Sequence, residues 1–136
     1  MAVTIADAIE FTRTNHRAVL ATRRRDGRPQ LSPVTVAPGP DGQVLISTRD
    51  TAMKVKNIER DPRVTVLIHS ADNPWDWAEV RGHLVDTIDG QAARDHIDAL
   101  SRKYIGQDYA NPIGPHGRVI LRIAADKTNT PGTMSR

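Results

Sequence analysis

The sequence contains no cysteine and only one phenylalanine among its 136 residues, and no apolar run approaches the roughly 18 residues that a membrane span needs. The absence of cysteine excludes disulfides and thiolate metal sites. At the amino terminus, Asp7 and Glu10 interrupt the segment MAVTIADAIEF, which lacks the basic and apolar regions of a signal peptide. We therefore expect a soluble cytoplasmic protein with no membrane partner.

The sequence motifs of side-chain catalysis are missing as well. The chain has no G-x-S-x-G elbow, no P-loop, no G-x-G-x-x-G and no H-E-x-x-H. Its five histidines are scattered without the spacing of metal ligands, and no pair of carboxylates lies in an apolar context that would separate their pKa values. These absences favour reactions in which a bound cofactor performs the chemistry.

Length and charge limit the fold and the partners. A chain of 136 residues is long enough for one domain, so we expect a single domain over residues 1–136 with a frayed polar tail at 126–136. The net charge of +3 suits an acidic ligand. The basic run Arg23 to Arg25 has no interleaved aromatic residue, so a solvated turn is favoured there over a nucleic-acid contact.

The stretch from Val44 to Ile68 organises the rest of the chain. It reads as a short strand, a polar turn, a short helix and a second strand. Asp50 or Thr51 can cap the helix, and Pro62 ends it. The pattern therefore places the start of a helix directly after a strand end that is rich in Ser and Thr.

Two lysines, Lys54 and Lys56, fall in the first turns of this short helix. Free backbone N–H groups and the helix dipole favour an anion at a helix N-terminus, and lysine adds a mobile cation. A phosphate site is one interpretation. A solvated helix face is the other, and spacing alone favours it.

The rest of the sequence predicts two more helices and four more strands. The first helix begins at Thr4, with Asp7 placed to complete a capping box, and Asp26-Gly27 marks a hairpin. The strands are Arg17 to Arg23, Pro29 to Ala37, Trp75 to Val85 and Arg118 to Ile123, and the last helix is Gly90 to Tyr104. This order favours a small antiparallel barrel with flanking helices over a doubly wound sheet.

Two strands carry features that predict a ligand or partner surface. Pro33 lies inside the second strand and predicts an edge or a bulge, which exposes the backbone beside Ser32 and Val34.

In the strand from Trp75, a period of two places Trp75 and Trp77 on the outer face. The residues expected to face the barrel interior are Ala78, Val80, Gly82 and Leu84. Clustered tryptophan on an outer face predicts a dimer interface or a cofactor edge, with packing under a loop or a helix as the alternative.

Four segments carry a family resemblance: STRDTAMKVKNIERDPRV, NPWDWAEVRGHLVD, HIDALSRKYIGQDY and RVILRI. In order and spacing, the chain resembles the pyridoxamine 5′-phosphate oxidase-like split-barrel flavoproteins, in particular their actinobacterial branch that uses the deazaflavin coenzyme F420. The resemblance implies a mainly β fold with flanking helices, a six- to seven-stranded antiparallel split β-barrel of the FMN-binding type. It also implies a homodimer with the cofactor groove between the subunits, and no nucleic-acid partner.

The resemblance further implies which residues bind the cofactor. Ser47 and Thr48 would contact its phosphate, and Lys54 would be the main cation, supported by Lys56 and Asn57. The complete expected set is Ser32, Val34, Ser47, Thr48, Met53, Lys54, Lys56, Asn57, Trp75 and Trp77. Arg118 and Arg122 are weaker candidates for contacts with the acidic polyglutamate tail of the cofactor. No catalytic residue is assigned, and no metal is expected.

Departures from the oxidase pattern shape the functional interpretation. The parent oxidases carry an Arg-Lys pair where this chain has Met53-Lys54, and a longer carboxy-terminal segment with substrate-phosphate residues, so pyridoxamine phosphate oxidation is disfavoured. The leading interpretation is an F420-dependent oxidoreductase that transfers a hydride to an unknown electron-poor small molecule. The alternatives are an FMN-binding oxidase or flavin reductase, a carrier that binds F420 without turnover and, more distantly, a binder of nucleic acid or acidic surfaces.

Overall fold

A computed structural model describes residues 4–49, 52–107 and 117–129. Within these residues the chain forms three helices and six strands, in the order that the sequence predicts. They are α1 (Ile5–Thr14), β1 (Arg17–Arg23), β2 (Pro29–Pro38), β3 (Gln43–Arg49), α2 (Met53–Arg60), β4 (Arg63–His69), β5 (Trp77–Ile88), α3 (Gly90–Ile105) and β6 (Arg118–Asn129).

The six strands close into one antiparallel barrel. Its strand order is β1-β2-β3-β6-β5-β4, and β4 pairs with β1 to complete the ring. In a closed barrel the first and last strands of the sheet pair with each other, so neither is a free edge strand at which another chain could add and aggregate. The predicted mainly β antiparallel barrel with flanking helices is thus confirmed, with six strands.

The barrel interior is aliphatic. Alternating residues of each strand point inward, as the period of a strand requires, and the fully buried ones include Leu20, Val36, Ile46, Val66 and Leu121. In β5 the predicted inward residues Ala78 and Val80 are fully buried, and Gly82 is buried with them. The core therefore comes from β-branched residues and leucine, as the composition indicates.

Helix α1 covers one part of the barrel and begins as predicted. The Thr4 hydroxyl accepts a hydrogen bond from the Asp7 N–H at 3.1 Å, and the Thr4 N–H donates to the Asp7 carboxylate at 3.2 Å. This reciprocal capping box satisfies two amide groups that would otherwise lack partners at the helix start. Ala8 and Phe11 of the helix join the core cluster.

Two predicted boundaries were wrong because the sheet continues past them. Thr48 and Arg49 are not a polar turn but the end of β3, since they pair with Val119 and Arg118 of β6. The expected frayed tail from residue 126 is strand up to Asn129, since the end of β6 pairs with β5. Residues 130–136 of that tail lie outside the described residues.

The start of α2 also differs from the expected one. Its N-cap is Ala52, with no side-chain hydrogen bond at the cap. The cap predicted at Asp50 or Thr51 was therefore wrong, because the N-cap lies after both of them; these two residues lie outside the described part of the chain. The helix ends at Arg60, before Pro62, as predicted.

Strands β2 and β3 pair over only four residues each, and their separation beyond this ladder opens the barrel wall on one side. Their ladder runs only from Pro38–Val44 to Thr35–Ser47. Beyond it, within the described residues, the first half of β2 pairs with β1 alone, and Pro33 lies in that half opposite Val19. The edge that Pro33 predicted is present, since a residue without an N–H suits a stretch paired on one side.

No helix in the described ranges has both the length and the apolar composition that crossing a membrane requires.

Gly82 is the position where the barrel tolerates no side chain. A Cβ atom there would overlap the carbonyl oxygen of Ala124 and lie 3.0 Å from the Cγ2 of Ile123. We expect Gly82→Ala to lower the free energy of unfolding by about 2–3 kcal/mol, because the backbone of β6 must shift to make room. Urea denaturation of the two proteins measures this difference.

Gly117→Ala is the matched control, because among the described residues no heavy atom beyond the chain neighbours lies within 4 Å of a Cβ built at Gly117. Its free energy of unfolding should change by less than about 1 kcal/mol. Equal destabilisation by the two substitutions would contradict the close approach of β5 and β6.

Candidate functional site

The gap between β2 and β3 holds a cleft of about 850 Å³. One wall is formed by Pro33, Val34 and Thr35 of β2, and the other by Ser47, Thr48 and Arg49 of β3. The remaining lining residues are Arg17, Ala18, Val19, Ala52, Lys54, His69 and Arg118. The cleft exists because the two strands stop pairing at Thr35–Ser47, so both walls present backbone and side chains to the same space.

The charge of the cleft has one sign. Arg17, Arg49, Lys54 and Arg118 line it, and none of its described lining residues is an aspartate or glutamate. Within the described part of the chain, Arg17, Arg49 and Lys54 form no ion pair with a carboxylate. Arg17, Arg49 and Lys54, together with the charge of Arg118, give the cleft a positive potential that attracts anions.

Ser47 of β3 and Arg118 of β6 are polar lining residues of the cleft that contact each other. The Arg118 guanidinium donates a hydrogen bond to the Ser47 hydroxyl at 3.1 Å. Ser47 and Thr48 are only 4% and 6% exposed, so their hydroxyls are positioned by the strand rather than by solvent. A fixed guanidinium beside fixed hydroxyls is suited to binding phosphate or carboxylate oxygens.

Lys54 enters the cleft from the first turn of α2. Partial burial lowers the pKa of the Lys54 ammonium, and the nearby positive charge of Arg118 lowers that pKa further. Both effects penalise the charged lysine in the free protein, and an anion placed between the two cations would relieve the repulsion. The α2 N-terminus adds its own partial positive charge at this point, because Ala52 offers no side-chain acceptor to its amides.

The far end of α2 is fixed to the barrel by side-chain hydrogen bonds. The Asn57 amide donates to the Thr22 hydroxyl at 3.2 Å, and that hydroxyl donates to the Gln30 side-chain oxygen at 3.1 Å. Arg60 donates to the Arg23 carbonyl at 2.5 Å. Asn57 is 2% exposed and does not line the cleft, so its role in the structure is to anchor the helix that carries Lys54.

The structure brings together part of the predicted cofactor set. Val34, Ser47, Thr48 and Lys54 all line the cleft, as does Arg118. The other predicted residues do not line it: Ser32, Met53, Lys56, Asn57, Trp75 and Trp77. Arg122, the second candidate for tail contacts, instead donates a hydrogen bond to Gln43 at 3.0 Å.

The residues outside the cleft have identifiable surroundings. Ser32 faces the barrel interior, opposite Leu20, while Met53 and Lys56 are exposed on α2. Trp75 is 75% exposed in the loop before β5, and Trp77 pairs with His69, whose side chain lines the cleft. Trp77 is therefore next to the cleft, whereas Trp75 presents a large apolar surface away from its lining.

Three residues that line the cleft were not predicted from the sequence: the cations Arg17 and Arg49, and His69. Each lies at the end of a strand, where a period of two gives no reason to single it out. Their common signal is the strand register, since Arg17 pairs with Thr35, Thr35 pairs with Ser47 near the end of β3, and the start of β1 pairs with the end of β4. That signal appears only once the strand pairing is known.

The arrangement can bind an anion and orient a flat or extended molecule along the gap. Among the described residues no three or more His, Asp or Glu side chains cluster as they would around a metal ion. The cleft thus offers binding and electrostatics rather than a set of side chains for nucleophilic chemistry.

Comparison with known proteins agrees with this description. The family model described as pyridoxamine 5′-phosphate oxidase matches residues 6–130. Among solved structures, one named F420 reductase superposes with a TM-score of 0.71 at 25% identity, covering 88% of this chain and 94% of that one. The conserved hypothetical protein Rv2991 from Mycobacterium tuberculosis superposes with a TM-score of 0.68 at 26% identity, covering 94% and 84%.

A third structure is more distant in sequence. General Stress Protein 26 from Bacillus anthracis gives a TM-score of 0.67 at 21% identity, covering 91% of this chain and 90% of that one. At this identity the likeness shows the fold alone.

Two histidines near the cleft predict how stability depends on pH. Burial lowers the pKa of His16, with Arg17 and Lys103 adding to the effect, and burial followed by the charge of Arg118 lowers the pKa of His96. The unfolded chain, with histidine pKa values near 6.5, then binds more protons than the folded chain as pH falls below that value. The free energy of unfolding should therefore be highest above about pH 6.5 and should decrease as the pH falls below about 6.5.

Urea denaturation between about pH 7.5 and about pH 5.5 measures this dependence, and His96→Asn should make it shallower. A free energy of unfolding that rises as the pH is lowered through this window would contradict the partly buried, neutral state of these two side chains.

Proposed function

The chain belongs to the pyridoxamine 5′-phosphate oxidase family, and from this premise we propose that it is an oxidoreductase that uses reduced coenzyme F420 to reduce an electron-poor small molecule. The observation that carries the proposal is the cleft between β2 and β3, which is lined by four cations and, within its described lining, by no carboxylate. The similarity to a structure named F420 reductase supports the same choice of cofactor.

The residues present fit this cofactor. A deazaflavin with a phosphate and an acidic polyglutamate tail carries several negative charges, so it needs more cations than a phosphate alone. All of these residues line the cleft: Lys54, Ser47 and Thr48 would hold the phosphate, and Arg118, Arg49 and Arg17 would meet further carboxylates. The bound cofactor supplies hydride transfer, and the chain supplies orientation and charge.

The apolar side of the cleft would set the orientation of the bound cofactor. Ala18, Val19, Pro33 and Val34 form an aliphatic surface next to the cations. A tricyclic ring system packs against such a surface while its phosphate lies at the α2 N-terminus. Cations at one part of the cleft and an apolar wall at another would fix which way the cofactor lies.

FMN is the second candidate, because the matching family takes its name from a flavin-type oxidase. FMN has the same phosphate for Lys54 but lacks the acidic tail, so it would leave more of the arginines at the cleft without an anion. The relative affinity for the two cofactors therefore distinguishes the candidates.

The outer face of β2, β1 and β4 supports the further proposal of a homodimer with the cleft at its interface. Leu31 is 62% exposed there, and Val19 stands between Pro33 and the exposed Leu67 in the strand register. This apolar face continues into the cleft, because Val19 and Pro33 also line it. An exposed apolar surface of this kind is typical of a protein interface.

A fluorescence titration with coenzyme F420, run beside FMN at the same moderate salt concentration, tests the cofactor. We expect tighter binding of F420, with an affinity that falls as salt increases, because several ion pairs form in the complex. Tighter binding of FMN would shift the assignment to a flavin enzyme, and binding of neither would contradict the proposal.

Substitution of Lys54 tests the anion site itself. Lys54→Ala removes a charge-assisted hydrogen bond worth about 1.5–3 kcal/mol, so the affinity for F420 should fall roughly ten- to a hundredfold. Lys56→Ala is the matched control, because Lys56 lies on the same helix, is exposed and does not line the cleft. Equal losses in the two variants would remove Lys54 from the site.

The dimer can be tested by light scattering coupled to size exclusion. We expect wild-type protein to have the mass of two chains and Leu67→Glu to have the mass of one, because a buried unpaired carboxylate is costly at an interface. Val85→Glu serves as the control, since Val85 is equally an exposed aliphatic residue but lies on β5, outside this face. A monomeric wild-type protein would refute the dimer.

A further inference from the structure

A second, smaller cavity of about 160 Å³ lies between the carboxy-terminal half of α3 and the residues that start β1. We call it the α3 pocket. Ile97 and Leu100 supply its buried aliphatic wall, and Ile105, a largely exposed residue, stands at its rim. Its surface is thus mainly apolar, in contrast to the cationic cleft.

One wall of the α3 pocket is a stacked aromatic pair. The rings of His16 and Tyr104 lie 3.6 Å apart between centroids, at an interplanar angle of 21°. Lys103 holds this last turn of α3 in place, since its ammonium donates a hydrogen bond to the Arg13 carbonyl at 3.0 Å and lies 5.2 Å from the Tyr104 ring. The wall is therefore formed before any ligand arrives.

The pocket also contains one polar atom that needs a partner. The Ser101 hydroxyl is buried, and within the described residues it has no hydrogen-bond partner. A buried hydroxyl left without a partner costs free energy. A ligand that brings a hydrogen-bonding group into the pocket would recover that cost.

The α3 pocket adjoins the cofactor cleft. Thr35 lines both cavities, and its partner across the β1–β2 ladder is the cleft cation Arg17, which directly follows His16. A molecule held in the α3 pocket would therefore be separated by Thr35 from the cleft in which the proposed cofactor binds.

We propose that the α3 pocket binds one neutral six-membered aromatic ring that carries a single hydrogen-bonding substituent, and that this ring is the recognition end of the substrate. The volume decides the size, because an aliphatic cavity of about 150 Å³ accommodates one benzene ring. The aromatic wall of His16 and Tyr104 favours a ring over a chain, and Ser101 would bond its substituent. The role of this ring as part of a substrate rests on the proposed reductase function.

The charge of the ligand follows from the same walls. Arg17 and Lys103 lie close enough to His16 to lower its pKa, after the larger effect of burial. The pocket itself is lined by aliphatic and aromatic side chains and two hydroxyl residues, Thr35 and Ser101, and no charged carboxylate or ammonium group is among its described lining residues. Transfer of a carboxylate from water into such a surface is costly, whereas a phenol loses little and keeps one hydrogen bond. The pocket therefore selects a neutral ring.

The experiment uses 4-methylphenol as the probe and methyl NMR spectra of the whole chain without cofactor. We expect saturable shifts of the methyl signals of Ile97, Leu100 and Ile105, and an affinity roughly two- to tenfold higher than that of toluene, as one hydrogen bond provides. Methyl signals in the pocket that do not respond would overturn the proposal, and so would equal binding of 4-methylcyclohexanol, which has the hydroxyl but no aromatic ring.

Two variants test the assigned contacts. Ser101→Ala should remove the preference for 4-methylphenol over toluene without lowering the free energy of unfolding, because the deleted hydroxyl has no partner to lose among the described residues. Ile105→Glu should weaken both probes by placing a charge at the rim, whereas Val85→Glu, an exposed aliphatic position on β5, should leave them unchanged. Retention of the phenol preference in Ser101→Ala would refute the contact.

A final titration separates this proposal from the cofactor proposal. With F420 at saturation, 4-methylphenol should bind with unchanged affinity, because the two ligands occupy adjoining cavities. Displacement of the phenol by F420 would overturn the substrate role, since the cofactor itself would then fill the pocket. Failure of F420 to bind, with phenol binding intact, would instead refute the reductase function and leave the ring site in place.

Discussion

The early end of the β2–β3 ladder is the constraint on which the rest of the structure depends. Two barrel strands that part at Thr35–Ser47 leave backbone and core exposed unless another element covers the gap. Helix α2 packs beside this gap, with Val55 and Ile58 in the core cluster and Asn57 bonded to Thr22 of β1. The N-terminus of the same helix lies at the edge of the gap, where Ala52 and Lys54 line the cleft.

Positive charge in that cleft is concentrated in four lining residues, with no carboxylate among the described lining. Burial lowers the pKa values of Lys54 and His96, and the nearby charge of Arg118 lowers both further, so protonation of each is more costly. Elsewhere the chain places carboxylates beside its cations, as where Asp61 holds Arg63 at 2.8 Å. The described lining of the cleft has no such carboxylate, so part of the binding energy of an anion would come from relief of repulsion that folding has already built in.

The sequence predicted the elements better than the site. Strong local signals, such as the Thr4–Asp7 capping box, the strand Arg17–Arg23 and the break at Pro62, each matched the structure, because they act within a few residues. The extension of β3 and β6 was missed, because it depends on pairing between strands far apart in sequence. Lys54 could be singled out from its position on a helix, whereas Arg17 and His69 could be placed at the cleft only once the pairing of β1 with β2 and β4 was known.

The cleft and the core share few residues. Of the side chains that line the cleft, Ala18 belongs to the buried core cluster, and Val34 and Ala52 pack against it, while the cations and His69 do not. Changes at the cleft therefore cost little folding energy, because most core contacts remain intact. A barrel built this way is evolvable: an ancestral scaffold can drift among cofactors and substrates by a few surface exchanges, each neutral for folding, before selection fixes one specialisation.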